Sequence, residues 1–342
     1  MSTPGSPRTK YYVGIDIGKT HIRSAICGES SDDIEPLKWA FAKADAPNLL
    51  DEVVDAVDGA LDRTGVGRDE LEGIGVAVPA VVDHTTGRIV SGGDAVPPFN
   101  YCPELDALRD ASVADHLADV FGVPVAVDTD STAATLGEQW LGHGRSCDKL
   151  ALITWGTGIG AGLIIDGEVY RDGNLFAEFG HMVVSDDTDR CICGVRGCIG
   201  AIVSGPAIAR QAARLAEEHA DSLLAEIAHT DPDRSMTYAC FEAADRGDAT
   251  ARRLLDRVGV LFGRLCANLV YTLQPQKIVF SGGLSDRLDA IIDVTDETMR
   301  SSCWMLSSGV AECEIVASDL GDSAGVAGAI RAAQLASTKE SV

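Results

Sequence analysis

The chain has 342 residues, 46% of them hydrophobic, which is enough to bury one or two sizeable cores, so two domains are expected. Its 52 acidic and 28 basic residues give a formal net charge of −24, which disfavours nucleic acid as a partner because phosphate groups repel such a surface. No stretch is long enough for a membrane span, and residues 1–10 lack a secretory signal and are expected to form a disordered tail. We therefore expect a cytoplasmic protein without a membrane partner.

The first third of the chain alternates apolar runs with amphipathic stretches. A β-branched run ends at a glycine turn and then resumes, which indicates a hairpin. The predicted elements are a hairpin over residues 11–28, a helix over 47–64, a buried strand over 73–83, a helix over 103–121 ending at Gly122, and a strand over 123–130.

A second apolar hairpin, over residues 149–170, bends around a glycine-rich turn and indicates a duplicated lobe. Strands alternating with helices predict an α/β fold of two lobes with duplicated sheets. The order of the motifs places the lobe border near residue 128, giving lobes at 11–128 and 129–342. The later elements are helices over 204–229 and 236–274, a strand over 277–283, and a helix over 322–336 that is expected to pack back on the first lobe.

Three glycine-rich turns are candidates for binding a nucleotide: the first two for its phosphates, and the third for a flat adenine ring that lies against the backbone. Glycine leaves the backbone bare and tolerates positive φ angles, so N–H groups can approach phosphate oxygens closely. The first turn also carries an acid that could hold Mg²⁺ through water. The candidate residues are Asp16, Gly18, Lys19 and Thr20 in the first turn, Thr157 and Gly158 in the second, and Gly282 and Gly283 in the third.

Each of these turns has a simpler interpretation. The first and third are also compatible with ordinary turns at strand ends. The second, within residues 156–162, resembles a dinucleotide-binding glycine pattern, but that pattern opens a helix, whereas an apolar strand follows here. The hairpin context therefore favours a phosphate clamp at the second turn.

Two carboxylates close the strand that ends near residue 130. Asp128 and Asp130 precede a helical pattern, so either could cap the helix. Alternatively, Asp130 could accept a proton from a substrate hydroxyl, which is typically worth about 10² to 10⁴ in rate.

A compact group of thiols and an imidazole follows the second hairpin. His181 precedes Cys191, Cys193 and Cys198, and one imidazole with three thiolates is the ligand set of a closed tetrahedral zinc site. Glycines at 194 and 197 would fold the loop back on itself. The sequence therefore predicts structural Zn²⁺ in a loop over residues 178–200, and reduced cysteines elsewhere.

In this order, the motifs resemble the ROK family of sugar kinases and sugar-responsive repressors, from Tyr11 to about Ala336. The resemblance implies an actin/hexokinase-like fold with a cleft between the lobes, and an ATP-dependent, glucokinase-like sugar kinase of carbohydrate metabolism and glycolysis. It also implies a homodimer or larger homo-oligomer. The implied roles are catalytic base for Asp130, sugar contacts for Thr129, Glu178 and His181, ATP and Mg²⁺ contacts for the glycine turns, and adenosine contacts for Gly282 and Gly283.

Four positions depart from the family pattern, and three of them lie where the sugar is expected. Lys19 and Ala80 replace glycines, Thr129 replaces an asparagine, and Gly200 replaces a sugar-binding glutamate. Two lost hydrogen-bonding groups cost about 0.5–3 kcal/mol each. Glucose is therefore only the default substrate. The alternatives are a kinase of an N-acetylhexosamine, a sugar-responsive regulator, a phosphotransferase with a non-hexose acceptor, and one that uses polyphosphate as its donor.

Overall fold

A computed structural model describes residues 9–18, 21–29, 37–40, 49–83, 86–89, 112–171, 177–186, 189–231 and 233–339. The strands are β1 (Tyr11–Ile17), β2 (His21–Gly28), β3 (Leu37–Ala40), β4 (Leu71–Val78), β5 (Val82–Asp83), β6 (Arg88–Ile89), β7 (Val125–Thr129), β8 (Leu150–Trp155), β9 (Ile159–Ile165), β10 (Glu168–Val169), β11 (Lys277–Ser281) and β12 (Glu314–Ala317). The helices are α1 (Leu49–Thr64), α2 (Val113–Phe121), α3 (Asp130–Leu141), α4 (Gly200–Val203), α5 (Gly205–Glu218), α6 (Leu223–Thr230), α7 (Met236–Asp245), α8 (Ala249–Leu273), α9 (Ile292–Ser302), α10 (Trp304–Ser307) and α11 (Ala324–Lys339).

The two large sheets have the same arrangement of strands. The first has the order β3-β2-β1-β4-β7 and the second β10-β9-β8-β11-β12. In each, an antiparallel hairpin is followed by two parallel strands, which are β4 and β7 in one case and β11 and β12 in the other. This repetition confirms the predicted α/β class with duplicated sheets. A short ribbon of β5 and β6 follows the first sheet.

The chain divides into two compact units that interleave along the sequence. Unit 1 comprises residues 1–146, 169–176 and 322–342, and unit 2 comprises 147–168 and 177–321. This division differs from the border expected at residue 128, because α3 packs against α11 and both belong to unit 1. The C-terminal helix also lies against β1 and β4 of that unit.

In unit 1, helices cover both faces of the sheet. Alternate residues of β1 and β4, with α1 and α2, form an apolar core on one face. On the other face, glycines let α11 come very close. A Cβ on Gly75 would lie 1.7 Å from the carbonyl oxygen of Ala329, and one on Gly14 would lie 2.5 Å from that of Val326. Small residues therefore set the distance between this helix and the sheet.

Unit 2 is built around large aromatic side chains. The rings of Trp155, Phe262 and Phe280 pack edge to face with centroids 5.0 to 6.4 Å apart, and Phe241 adds a fourth ring. The indole N–H of Trp155 donates to the carbonyl of Val203 over 2.8 Å, so the buried polar atom has a partner. This cluster joins β8 and β11 to the helices of the unit.

Most of the predicted elements appear with adjusted ends. The expected helix over 204–229 is divided between α5 and α6, and that over 236–274 between α7 and α8, where Gly247 has φ +90°. Gly122 ends α2 with φ +70°, as predicted, but the beginning of that expected helix lies outside the described residues. Among the described helices, none has the length and apolar character needed to span a membrane.

Candidate active site

The first glycine turn places an acid beside an arginine. Asp16, near the end of β1, faces Arg23 on β2 across the hairpin, and the guanidinium donates to its carboxylate over 3.4 Å. Gly325 at the beginning of α11 gives the carboxyl group room, since a Cβ there would lie 3.0 Å from Cγ of Asp16. Gly18 donates its N–H to the carbonyl of His21 over 2.9 Å and so closes the turn. Two predicted phosphate contacts lie outside the described residues: Lys19 and Thr20.

The second glycine turn connects β8 to β9. Gly156 donates to the carbonyl of Gly158 over 3.1 Å, and this tight bend leaves Thr157 and Gly158 exposed at its tip. A Cβ on Gly158 would meet nothing within 4 Å. Because a strand follows the turn, the hairpin expectation is confirmed and the dinucleotide-binding alternative is wrong.

The third turn follows β11 and lies next to the second. Gly282 has φ +90°, and a Cβ there would lie 2.9 Å from the carbonyl oxygen of Trp155, so only glycine fits without strain. Ser285 donates both its N–H and its hydroxyl to the carbonyl of Gly282. Gly283 faces open space, with nothing within 4 Å of a hypothetical Cβ. A flat ring can therefore approach the backbone here.

Asp130 is the first residue of α3 and is exposed. The cap of this helix is Thr129, whose hydroxyl accepts the N–H of Thr132 over 3.2 Å, so the expectation that an aspartate caps the helix is wrong. The carboxylate of Asp130 accepts the N–H of Ser131 over 2.7 Å. The helix N-terminus stabilises its negative charge. Thr129, predicted to contact the sugar, uses its hydroxyl locally.

Asp128 has a structural partner that the sequence did not indicate. Its side chain is only 6% exposed, and Arg171 donates to both carboxylate oxygens over 3.0 and 2.7 Å. Such a bidentate pair is rigid, because two parallel hydrogen bonds fix the planes of both groups. Arg171 lies 43 residues away in sequence, on the segment of unit 1 that interrupts unit 2. Arg171 therefore fixes the chain just after β10 to strand β7, which directly precedes Asp130.

Glu178 precedes a single 3₁₀ turn over Phe179–His181, and His181 is the last residue of that turn. Phe179 is buried in the unit 2 core, and a Cβ on Gly180 would lie 2.3 Å from the carbonyl oxygen of Ile159, so the turn is pressed against β9. The N–H of His181 donates to the carbonyl of Glu178 over 3.0 Å. Both predicted sugar ligands are thus held on one short, firmly packed turn.

The predicted metal ligands come together. One ligand atom from each of four side chains lies within 4.8 Å of all the others: His181, Cys191, Cys193 and Cys198. Cys191 Sγ is 3.3 Å from His181 Nδ1, and Cys193 Sγ is 3.6 Å from Cys198 Sγ. Zinc bonds of about 2.3 Å to sulfur and about 2.0 Å to nitrogen place tetrahedral ligands about 3.5–3.8 Å apart. The donor set and its spacing therefore fit a zinc ion.

The loop is shaped by two glycines and by burial of its thiols. Gly194 and Gly197 have φ of +84° and +80°, which agrees with their predicted role in folding the chain back. Burial, and then the bond with Cys193, raise the pKa of Cys198 to about 12. Burial opposes ionisation of Cys193 as well, but hydrogen bonds beginning with the N–H of Val195 outweigh it and lower its pKa. A cation would stabilise the thiolate of Cys198, which burial disfavours.

Three of the four departures from the family pattern lie within the described residues: Thr129, which caps α3, and Gly200 and Ala80. Gly200 begins α4 directly after the metal loop, and a Cβ there would lie 3.0 Å from the carbonyl oxygen of Gly180. Ala80 follows β4 and packs partly buried against the unit 1 core. The absence of a side chain at 200 therefore lets the first residue of α4 lie close to the backbone of the Phe179–His181 turn.

The site residues are distributed over both units. Unit 1 holds the acids Asp16 and Asp130, and unit 2 holds Glu178, the metal ligands and the second and third glycine turns. Sequence reasoning missed Arg23 and Arg171. Arg23 could have been found from the hairpin register, whereas nothing in the sequence pairs Arg171 with its partner.

Comparisons with known proteins identify the family of the chain. The sequence profile of the ROK family matches residues 12–336. Glucokinase of Halalkalibacterium halodurans is 31% identical over 325 residues, covering 93% of each chain. The DNA-binding transcriptional repressor Mlc of Escherichia coli is 26% identical over 291 residues, covering 85% of this chain and 68% of its own. A ROK family glucokinase from Streptomyces griseus, solved with glucose and AMPPNP, superimposes with a TM-score of 0.75 at 27% identity, covering 95% of this chain and 99% of its own. The chain belongs to the ROK family.

Proposed function

We propose that this protein is an ATP-dependent sugar kinase that phosphorylates a hexose hydroxyl, with glucose as the first candidate. The observation that carries the proposal is the likeness to a glucokinase along 93% of both chains. The repressor Mlc is less similar, at 26% identity over 291 residues, and a formal net charge of −24 disfavours binding to DNA. Because the enzyme uses ATP, we propose that it works in the cytoplasm. Assembly into a homo-oligomer stays a prediction from the family resemblance.

In the proposed reaction, Asp130 accepts the proton of the sugar hydroxyl as its oxygen attacks the γ-phosphate. Its exposure and its place at the beginning of α3 support this role, since a substrate hydroxyl can reach the carboxylate. Phosphoryl transfer needs positioning and charge neutralisation more than covalent help. The turns at Gly18 and Thr157 would hold the phosphates with backbone N–H groups, and Asp16 would hold Mg²⁺ through water.

Zinc is proposed as the structural metal of the loop, held by His181, Cys191, Cys193 and Cys198. When bound, it supplies a rigid cross-link and no redox chemistry. Because Nδ1 of His181 faces the thiols, its Nε2 is the atom that we assign to a sugar hydroxyl. Glu178, on the same turn, is the second sugar ligand. By binding His181, the metal would thus fix the orientation of the ring that contacts the sugar.

The acceptor pocket favours a second candidate beside glucose. A carboxylate is missing at Gly200 and an amide at Thr129, and the hydroxyl of Thr129 already caps α3. A sugar site without that carboxylate would accept a larger substituent on the sugar, so an N-acetylated hexose is the second candidate. The experiment below also tests two alternatives: a sugar-responsive regulator that does not catalyse phosphorylation, and a kinase that uses inorganic polyphosphate as its donor.

The test is coupled ATP consumption over a panel of hexoses, N-acetylhexosamines and polyols, for the wild type and Asp130→Asn. We expect turnover only with a sugar, and a loss of about 10²-fold or more for Asp130→Asn with nucleotide binding unchanged. The matched control is Asp119→Asn, which removes an exposed carboxylate from α2 of the same unit. Retention of more than about a tenth of the rate by Asp130→Asn would contradict its role as general base.

A further inference from the structure

Tyr238 lies in the first turn of α7 and is 45% exposed. Its hydroxyl donates to the carbonyl oxygen of Gly283 over 3.3 Å. The hydroxyl is therefore tethered to the glycine turn, while nearly half of the residue stays open to solvent. An exposed ring held against a glycine turn is a surface on which another flat group can stack.

The neighbouring residue ties the same helix to a second element. Thr237, only 5% exposed, donates its hydroxyl to the carbonyl of Gly205 over 2.8 Å. Gly205, the first residue of α5, donates its N–H to the carbonyl of Gly156 over 2.8 Å. A continuous run of hydrogen bonds thus leads from the turn after β8, through α5, to the first turn of α7.

The space beside the ring is lined by backbone. Gly283 has nothing within 4 Å of a hypothetical Cβ, and a Cβ on Gly156 would lie 3.8 Å from the N–H nitrogen of Gly283. The exposed turn at Thr157 and Gly158, which suits phosphate, is therefore adjacent to the open backbone at Gly283. All of these groups belong to unit 2. Their order along the surface is anion-binding turn, bare backbone, aromatic ring.

We propose that Tyr238 is a specificity-determining residue that stacks on the nucleobase of the phosphoryl donor. The donor is then a nucleoside triphosphate, and inorganic polyphosphate, which has no base, gains nothing from this ring. Stacking needs only a flat π-face, so different purine bases benefit alike. The inference rests on the proposed function, because it concerns the donor of the same reaction.

The experiment measures equilibrium binding of MgADP and of inorganic tripolyphosphate, together with steady-state kinetics, for wild type, Tyr238→Ala and Tyr238→Phe. For Tyr238→Ala we expect Kd for MgADP and KM for ATP to rise about tenfold, as for other base-stacking aromatics. Binding of tripolyphosphate, kcat and the sugar KM should stay within about twofold, since they do not involve the base. Tyr238→Phe, which keeps the ring, should change nucleotide binding less than about threefold.

Tyr271→Ala is the matched control. Tyr271 is also 45% exposed, also lies in unit 2, and also donates its hydroxyl to a backbone carbonyl, that of Ser302, over 3.4 Å. Its removal should leave MgADP binding unchanged. Unchanged nucleotide binding in Tyr238→Ala would overturn the inference, and so would equal weakening of MgADP and tripolyphosphate. A wild type that binds no MgADP would overturn the proposed function as well, whereas an active wild type with an unaffected Tyr238→Ala overturns the inference alone.

Discussion

The two five-stranded sheets have the same strand order, yet they pack against their helices in different ways. In unit 1, glycines at 14 and 75 bring α11 into backbone contact with the sheet. In unit 2, Trp155 and Phe280 hold the helices away from the sheet and meet Phe241 and Phe262. One topology therefore accommodates two packing modes, because strand order depends on backbone pairing whereas helix distance depends on side-chain volume.

The two units also contribute different chemistry. Unit 1 supplies carboxylates near strand ends, and unit 2 supplies bare glycine turns and a cluster of thiols and imidazole. Carboxylates near strand ends can accept protons and bind Mg²⁺. Thiolates bind a structural metal, which stabilises a loop as a packed apolar core would. The comparison predicts that disturbing unit 2 at its loop should affect substrate binding, and that disturbing unit 1 at α11 should affect stability.

The largest effect is expected from the metal loop. Structural zinc contributes about 10–16 kcal/mol of apparent binding free energy in small sites, so stripping it or introducing Cys193→Ser should unfold the loop and abolish sugar binding. Elemental analysis should find one zinc per chain. The control, Cys147→Ala, removes a buried thiol outside the loop and should retain the metal. Metal-free protein with full activity would contradict the zinc assignment.

The aromatic core of unit 2 should be the next most sensitive region. Phe262→Ala removes a fully buried ring whose centroid is 5.2 Å from that of Trp155. Loss of a buried phenylalanine costs about 3–5 kcal/mol of unfolding free energy. Chemical denaturation measures this, with Tyr271→Ala on the same helix as the exposed aromatic control. If both substitutions lowered the unfolding free energy equally, the ring cluster would not be what stabilises the core.

The glycine contact of unit 1 should be affected by an added methyl group. Gly75→Ala places Cβ 1.7 Å from the carbonyl oxygen of Ala329, so α11 must shift, at about 1–3 kcal/mol for an overpacked site. Gly28→Ala, in the same sheet, meets no atom closer than 3.6 Å and serves as the control. Comparable unfolding midpoints for the two variants would refute close packing of α11.

The smallest predicted effect concerns Gly200 and the acceptor. Gly200→Glu should lower KM for glucose about five- to thirty-fold if the native pocket lacks only a charge-assisted hydrogen bond. Gly200→Ala is the control, because its Cβ makes the same 3.0 Å contact with Gly180 without adding a carboxylate. If the native substrate is bulkier there, Gly200→Glu should instead impair its phosphorylation. No change on any acceptor would mean that position 200 does not face the sugar.

Much of the local structure could be predicted from the sequence by itself. The hairpins around the first two glycine turns, the end of α2 at Gly122 and the four-residue metal cluster follow from short-range patterns. Turn residues and closely spaced ligands constrain backbone that is near in sequence, so their signal is read without knowledge of the fold. The family resemblance rested on the same short motifs.

Only the tertiary structure decided which residues far apart in sequence share a unit. The pairing of Asp128 with Arg171, the return of α11 to the first sheet and the tether from Tyr238 to Gly283 join residues separated by 43 or more positions, and periodicity carries no such information. The cap of α3 was misassigned for a related reason, since threonine and aspartate both suit that position. In the folded chain Thr129 occupies the cap position, and Asp128, one residue earlier, is held by Arg171 from a distant segment.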